Sequence, residues 1–387
     1  MVAGPSRRDL ALNAPLERSA FALESGCVYL NSAAGGPLPV VTRDAIVAAV
    51  LDQAARGILG VAKIENQLDA SRVRVGAMIG ASGEDIAFLR NTTDGANVVA
   101  RGLDWRSGDE IVICDNEFGA NAMPWLALRE FGVVVRFIET ARERMTPEVL
   151  ERITGARTRL VAVSWVSFAD GYRHDLAALA KIAHARGALF CVDAAQALGA
   201  FGVDVRACAI DALYTGAQKW LLGLAGTSFL YVDSALRERL HVRWRGWRDV
   251  ADIWDFLAYD QPLSSTAGRY EGGTQNFLGV HALARSVEVL CAAGLERIAE
   301  HVLALSDYAV AALQASGAEV VTPRGPGISS GIVTFRLPGR DSVALGRSLG
   351  ARKIVTTYRA SGIRISLHGF NTKSDVDTLM AALVEDA

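Results

Sequence analysis

The most constraining feature of this sequence is the stretch 188–232, in which polar and glycine-containing segments separate three short apolar runs. The runs read ALFCV, IDALYT and TSFLYV, and runs of this kind predict strands that are buried on both faces of a sheet. Asp193 ends the first run, and Lys219 follows the second. Because ligands of open α/β sheets bind outside the carboxyl ends of the strands, the sequence predicts a functional site here.

Lys219 lies among apolar and small residues, in the sequence GAQKWLLG. Burial disfavours the charged form of an amine and lowers its pKa, which makes the amine usable as a nucleophile. Pyridoxal phosphate (PLP) binds covalently to such a lysine, and a carboxylate keeps the ring nitrogen of PLP protonated. Considered alone, Asp193 would be interpreted as a helix N-cap. Lys219 alone would be interpreted as a surface lysine whose aliphatic stem covers apolar surface. Taken together in this apolar setting, the two residues favour a PLP site.

The same stretch resembles the class V aminotransferases, a group of fold type I PLP enzymes. This group includes cysteine desulfurases, selenocysteine lyases, kynureninase and isopenicillin N epimerase. The resemblance extends from about residue 29 to 383, and its central motifs are D-x-A-Q and K-x-x-x-G-x-x-G, which fall here on Asp193, Ala195, Gln196, Lys219, Gly223 and Gly226.

The resemblance implies an α/β fold with a large domain and a small one. The large domain contains a mainly parallel seven-stranded sheet, and the small C-terminal domain is α+β. We therefore predict an N-terminal arm with a short amphipathic helix over 1–27, a large PLP-binding domain over 28–262 and a small domain over 263–387.

A polar turn, NTTDG, follows the strand-like run IAFL and opens a helical pattern. The exposed N–H groups at a helix start bind anions, and simple N-capping by threonine is compatible with phosphate binding. The resemblance places the phosphate-binding threonine on Thr93, next to Asp94. We predict that Asp94 belongs to the cofactor site as well, and that Gln196 bonds to the phenolic oxygen of PLP. The family often has histidine before the lysine, and Gln218, which stands there in this chain, can still donate a hydrogen bond to the phosphate.

The segment EFGANAMPW (117–125) resembles the E-H-x-A-N-x-x-P-W of desulfurases. The histidine of that motif stacks on the cofactor ring and moves protons. Phe118 takes its place here, and it can stack but cannot carry a proton. Persulfide-forming desulfurases also have a cysteine upstream of the terminal arginine, and residues 350–362 contain none. We therefore predict that the chain is not a persulfide-forming cysteine desulfurase, because a thiolate is needed to take sulfur directly.

The segment GIRISLHGFNT (362–372) contains Arg364 in an alternating strand pattern. Arginine binds carboxylates bidentately, and the resemblance assigns Arg364 to the substrate α-carboxylate. The loop VYLNSAAGGPLP (28–39) resembles a family segment near the substrate and adds Asn31 and Ala34. The alternatives are a surface arginine on a half-buried strand and an ordinary turn.

The segment RYEGGTQN (269–276) resembles a family motif whose threonine, here Thr274, reaches the phosphate bound by the other subunit. This implies a homodimer in which each site is built from both chains. The aromatic stretch 243–260 is then either a packing or dimer surface or a wall that shapes the substrate site.

Composition excludes several classes of protein. The formal net charge is −2, which gives no electrostatic case for nucleic acid, and no apolar run is long enough to span a membrane. The N-terminus lacks the apolar segment of a signal peptide, and the five cysteines are scattered. We expect a cytoplasmic protein without disulfides or a metal site, in which His174 and His184 are solvated helix residues.

The predicted function is Cα proton abstraction from an amino acid, followed by β-elimination of the carbon–sulfur lyase type. Transamination and racemisation or epimerisation of the isopenicillin N epimerase kind are the alternatives. A PLP fold that has lost catalysis and only binds is disfavoured by the presence of Asp193, Lys219 and Arg364. A nicotinamide-dependent Rossmann enzyme is disfavoured because no G-x-G-x-x-G follows a strand.

Overall fold

The computed structural model describes residues 13–359 and 361–385 of the chain. Its strands, in chain order, are β1 (Val28–Tyr29), β2 (Ile86–Leu89), β3 (Glu110–Cys114), β4 (Val134–Ile138), β5 (Thr158–Ser164), β6 (Leu189–Asp193), β7 (Ala212–Gly216), β8 (Ser228–Val232), β9 (Glu319–Val320), β10 (Ile332–Arg336), β11 (Ile354–Val355), β12 (Thr357–Arg359) and β13 (Gly362–Ser366).

Seven of these strands form one sheet in the order β2-β8-β7-β6-β5-β3-β4. The strands β3 to β7 pair in parallel, and β8 is antiparallel to both of its neighbours. Every residue of β3, β6, β7 and β8 is buried, as the continuous apolar runs predict. Because β2 pairs only with the reversed β8, it runs in the direction of β3 to β7. The carboxyl ends of six strands therefore meet at one edge of the sheet.

The helices cover both faces of this sheet and the small sheet that follows it. They are α1 (Val40–Arg56), α2 (Ile58–Glu65), α3 (Leu68–Met78), α4 (Thr92–Gly102), α5 (Gly119–Ala127), α6 (Pro147–Ile153), α7 (Leu176–Ala185), α8 (Ser234–Arg237), α9 (Phe277–Ala293), α10 (Leu295–Ala315), α11 (Ser342–Ala351) and α12 (Lys373–Glu385). The helical pattern over 39–80 becomes three helices, and the first break falls at Gly57, whose φ of 57° favours glycine.

The C-terminal part contains an antiparallel sheet of four strands in the order β12-β13-β10-β9. The predicted mainly parallel seven-stranded sheet with a small C-terminal α+β unit is therefore confirmed. The contacts that cross the predicted domain limits include the parallel pairing of β1 with β11 and the packing of α9 against α1 and α3. The division into 28–262 and 263–387 stays a prediction.

The predicted N-terminal arm (1–27) lies partly outside the described residues, because residues 1–12 are not among them. From residue 13 onward, the arm contains only a three-residue 3-10 helix, Arg18–Ala20, so the amphipathic helix predicted there is wrong for this portion. Within the described ranges no single helix is long and apolar enough to cross a membrane. The pair Phe277–Ala293 and Leu295–Ala315 meets that criterion together, but it is bent by 77°.

Candidate active site

A cavity of about 130 Å³ lies at the edge of the sheet where the strand ends meet. Ser164 and Asp193 are register partners at the ends of β5 and β6, and Lys219 follows β7. The cavity wall includes six of the residues predicted from the sequence, namely Thr93, Phe118, Asp193, Gln196, Gln218 and Lys219. The topology thus brings together side chains that are far apart in the chain.

Asp193 is a buried carboxylate that ends β6. Only 4% of the residue is exposed, and its Oδ1 accepts the N–H of Ala195 at 2.8 Å. Burial raises the pKa of Asp193 to about 6, although the bond from Ala195 and the charge of Lys219 oppose the rise. A carboxylate held in this way binds a cationic group more strongly than a solvated carboxylate does, because less water must be displaced.

Lys219 is partly buried on the other side of the cavity. Burial lowers the pKa of its amine, the carboxylate of Asp193 acts in the opposite direction, and Arg364 adds to the lowering. The Nζ atom lies 5.4 Å from the centre of the Phe118 ring, which in turn packs edge-to-face on Phe168 at 5.2 Å. A larger share of neutral amine at neutral pH follows, as a nucleophile or base requires.

The start of helix α4, where the sequence predicts phosphate binding, lines the same cavity as this lysine. Asn91 caps the helix, and its Oδ1 accepts the N–H of Asp94 at 2.9 Å. Thr92 and Thr93 line the cavity, and N–H groups in the first turn of a helix have no intrahelical acceptor. The helix lies so close to β7 that a Cβ atom added at Gly95 would come within 2.5 Å of the Tyr214 side chain. Glycine at this position therefore permits the close approach.

Two of the predicted cofactor residues, Asp94 and Thr274, lie outside this cavity. The carboxylate of Asp94 accepts hydrogen bonds from Arg90 at 2.7 and 3.2 Å. Both residues line a separate cavity of about 1060 Å³, together with Trp244. A role for Thr274 in a partner subunit's site is compatible with this position and stays a prediction, as does the role of Asp94.

Arg364 projects from β13, opposite Thr357 of β12. One guanidinium nitrogen donates to the Phe168 carbonyl oxygen at 2.8 Å and another to Thr357 Oγ1 at 3.4 Å, while the buried Nε has no partner. Burial and the nearby Arg359 lower the pKa of Arg364 to about 10. A buried guanidinium with an unused donor and a neighbouring like charge is stabilised by an incoming carboxylate.

The predicted loop residues adjoin this arginine. Asn31 Oδ1 accepts the hydroxyl of Thr357 at 2.7 Å, which links the loop to the contact of Arg364. Ala34 closes a turn by donating its N–H to the Asn31 carbonyl oxygen at 3.0 Å, and its side chain is exposed. The structure therefore brings Asn31 and Ala34 to the Arg364 side of the site.

Sequence reasoning missed the role of Glu117, which follows β3. Its carboxylate accepts the backbone N–H of Ser164 at 2.8 Å, the hydroxyl of the same serine, and the amide of Asn121 at 2.9 Å. Burial raises the pKa of Glu117 to about 7, and the charge of Asp193 contributes to the rise. The available signal was an acidic residue three positions after the end of a buried strand, beside the residue predicted to stack on the cofactor.

The prediction for His174 is wrong. This residue is only 7% exposed and precedes α7 instead of lying on it. Its Nδ1 lies 2.9 Å from the carbonyl oxygen of Ser164, and burial lowers its pKa to about 4. His174 therefore supports the end of β5 from behind the site as a neutral ring. His184 does lie on α7, where it bonds to Asp211 at 2.8 Å.

The residues around the small cavity suit PLP. The fit rests on three features: the buried carboxylate of Asp193 with a raised pKa, the first turn of α4 at the cavity wall, and the buried Nε of Arg364, which has no partner. Lys219 supplies the amine for covalent attachment. Over residues 13–359 and 361–385, no three histidine, cysteine, aspartate or glutamate side chains form a group that could hold a metal ion.

Comparisons with known proteins agree with this fold. A probable cysteine desulfurase from Methanothermobacter thermautotrophicus is 30% identical over 385 residues, which cover 93% of this chain and 94% of that protein. The apo structure of a cysteine desulfurase from Thermococcus onnurineus NA1 superposes with a TM-score of 0.87 at 26% identity and covers 100% of this chain and 99% of that one. The cystine C-S lyase C-DES, at 22% identity, shares the fold with a TM-score of 0.86 and covers 93% of this chain and 98% of that one.

The family model described as aminotransferase class-V matches residues 28–379. This range contains the seven-stranded sheet, the small sheet, and the residues predicted for the site. Because the match covers most of the chain and the fold agrees with solved relatives, the chain belongs to the class V aminotransferase family, whose enzymes use PLP.

Proposed function

We propose that this protein is a PLP-dependent enzyme that removes the Cα proton of an amino acid and catalyses β-elimination, as a carbon–sulfur lyase does. The observation that carries the proposal is that Lys219 and Asp193 line one cavity, while Arg364 bonds to the carbonyl oxygen of Phe168, another residue of the cavity wall. Burial displaces the pKa of all three groups, and the charges of Asp193 and Arg364 both act on Lys219. Perturbed groups that converge in a cavity are typical of catalytic sites.

The chain's own residues would hold the cofactor from four sides. Bound PLP supplies a ring that accepts electrons from the substrate Cα. Asp193 keeps the ring nitrogen protonated, Phe118 packs on the ring face, and Thr93 and Gln218 bind the phosphate at the start of α4. Gln196 donates to the phenolic oxygen. Asp193 is charged in this state, because a neighbouring cation lowers the pKa of a carboxylate.

Arg364 would bind the α-carboxylate of the substrate. Its guanidinium is held in place by the carbonyl oxygen of Phe168 and by Thr357, and its Nε remains available. Fixing the carboxylate orients the Cα proton relative to Lys219. Correct orientation of reacting groups contributes a large share of the rate acceleration of enzymes.

Lys219 would accept the Cα proton at Nζ. Its lowered pKa favours the neutral amine that this step requires. The other titratable residue on the cavity wall is Asp193, which is engaged with the ring nitrogen. A site with one base favours elimination or transamination over epimerisation, because inversion at Cα needs a proton donor on the opposite face. Transamination by the same lysine is therefore the second candidate.

The position of the cysteines supports a reaction that does not form a persulfide on the enzyme. The described wall of the small cavity contains no cysteine, and Cys114 and Cys191 are buried in strands. Residues 350–362, where the resemblance places the cysteine-bearing loop of a desulfurase, contain no cysteine. Mass spectrometry after incubation with L-cysteine should therefore find no stoichiometric persulfide, and a persulfide on one assigned cysteine would contradict the proposal.

We also propose that the active form is a homodimer with shared sites. Thr274 lines the large cavity, away from Lys219 of its own chain. The aromatic stretch 243–260 leaves several large side chains exposed, namely Trp244, Trp254, Phe256 and Tyr259, which are between 63% and 81% exposed. Apolar groups exposed in this number are typical of surfaces that bind another chain. Sedimentation of the PLP-bound protein at several concentrations tests this proposal, and a stable monomer would contradict it.

Incubation of the PLP-bound protein with a panel of L-amino acids tests the reaction. The proposal predicts pyruvate and ammonia from substrates with a leaving group on Cβ, while the visible band of bound PLP persists. Conversion of PLP to its amine form with release of a keto acid would instead establish transamination. Lys219→Ala is the control, and product formation by this variant at the wild-type rate would exclude the proposed role of the lysine.

A further inference from the structure

Trp220, the residue after Lys219, contacts the cofactor side of the site through its indole. The side chain is 1% exposed, and Nε1 donates to Gln196 Oε1 at 2.9 Å. The indole ring also stacks on His368, with ring centres 5.5 Å apart and planes 25° apart. Trp220 therefore touches both a predicted cofactor residue and the C-terminal part of the chain.

The indole N–H determines which way the Gln196 amide points. An indole can only donate, so the atom that faces it must be the amide oxygen. The amide nitrogen is thereby directed to the other side, where Nε2 donates to the Ala33 carbonyl oxygen at 3.0 Å. An amide nitrogen carries two hydrogens, so one N–H remains for a ligand in the cavity that Gln196 lines. Without the indole N–H, Oε1 would lose its donor, and only the bond to the Ala33 carbonyl oxygen would still hold the amide in this orientation.

His368 holds Trp220 from the opposite side. Its Nδ1 accepts the N–H of Gly369 at 2.7 Å, so the proton lies on Nε2, which is 2.9 Å from the Trp220 carbonyl oxygen. Ala33, in turn, donates its N–H to Ser366 Oγ at 2.9 Å. Since Ser366 and His368 follow Arg364 in the same segment, a closed chain of contacts joins the Gln196 amide to the strand that carries this arginine.

We propose that Trp220 is a positioning residue for the cofactor: it fixes the Gln196 amide so that an N–H faces an oxygen acceptor of the ligand. The ligand class is a planar heterocycle with a phenolate oxygen, which rests on the proposed PLP function. A purely structural tryptophan would contribute packing but would not hold the amide oxygen of Gln196. Loss of this donor leaves a buried amide oxygen unpaired and the amide held from one side only, and we expect an affinity loss of about tenfold.

Trp220→Phe is the direct test, because phenylalanine keeps a ring against His368 and removes the N–H donor. The dissociation constant of PLP for the PLP-free protein is expected to rise about tenfold. The pH midpoint of the visible band of bound PLP is also expected to shift. The same substitution in a Gln196→Leu background should have little further effect, since the two residues act through one contact.

Phe370→Leu is the matched control. Phe370 stacks on the other face of His368 at 5.5 Å and makes no contact in the hydrogen-bonded chain from Trp220 to Gln196. This variant is expected to lower the melting temperature while the dissociation constant of PLP stays within about twofold of wild type. It separates loosening of the aromatic stack from loss of the indole N–H.

Two results would overturn the proposal. The first is a Trp220→Phe protein with the wild-type dissociation constant and pH midpoint. The second is a wild-type dissociation constant in Gln196→Leu, which decides the matter even where Trp220→Phe does not fold. If the proposed PLP function itself is wrong, the wild-type protein will bind no PLP at Lys219. This outcome differs from both results above, in which wild type does bind PLP.

Discussion

Replacement of Asp193 by asparagine should stabilise the PLP-free protein and weaken PLP binding. Asparagine has the shape of aspartate and keeps an oxygen for the N–H of Ala195. Burial raises the pKa of Asp193 from 3.8 to about 6. Between these pH values the folded state binds more protons than the unfolded state, so the free energy of unfolding falls as the pH rises. The neutral asparagine does not show this fall.

The size of the effect follows from the shift. A rise of about 2 pKa units lowers the free energy of unfolding by about 3 kcal/mol in total, and wild type has lost this full amount above about pH 6. About 1 kcal/mol of this stability is already lost at pH 4.5. The remaining loss between pH 4.5 and pH 7.5 is therefore about 2 kcal/mol. For a chain of 387 residues, this equals a relative shift in melting temperature of about 2–3 °C.

Thermal unfolding of the two PLP-free proteins at pH 4.5 and 7.5 measures this difference at fixed protein concentration. The melting temperature of the asparagine variant relative to that of wild type should be about 2–3 °C higher at pH 7.5 than at pH 4.5. In the presence of PLP the order should reverse, because the wild-type carboxylate then faces a protonated ring nitrogen. A gap between the two proteins that does not change with pH would refute the reasoning about the buried carboxylate.

Three further predictions concern the substrate, the subunit arrangement and the cysteines. Arg364→Gln should raise KM for α-amino acids by about 30-fold while the affinity for PLP stays unchanged, and steady-state kinetics with an unchanged KM would move the carboxylate site elsewhere. Hybrid dimers of a Lys219→Ala subunit and a Thr274→Ala subunit should regain activity, because one of their two sites then combines a native Lys219 with a native Thr274. Activity no higher than that of the separate variants would contradict shared sites. Serine in place of all five cysteines should leave β-elimination within about twofold of wild type, and loss of activity with native PLP binding would reinstate a thiol mechanism.

The strands and the main site residues could be predicted because their signals are local. Buried parallel strands are continuous apolar runs, and the run before Asp193 became β6 with every residue buried. Functional side chains follow such runs, since the carboxyl ends meet at one edge. This is why Asp193 and Lys219 could be assigned to one site before the topology was known, whereas Thr93 was assigned by the resemblance to the family; all three line the small cavity.

Other features depend on contacts that no local pattern contains. Thr93 and Asp94 are neighbours at the start of one helix, yet Thr93 lines the small cavity and Asp94 pairs with Arg90. His174 continues an apparently helical pattern, but α7 begins only at Leu176 and His174 bonds to the end of β5. The contact of Trp220 with Gln196 likewise depends on how the chain returns to the site after β7.

Reduction of the PLP-bound protein with borohydride, followed by peptide mass spectrometry, tests the central claim most directly. The chain has five lysines, and the other four are exposed, whereas Lys219 is partly buried beside Asp193. The account predicts one pyridoxyl group per chain, located on Lys219, and none in the Lys219→Ala variant. Label on an exposed lysine, or no label and no visible band after incubation with PLP, would contradict it.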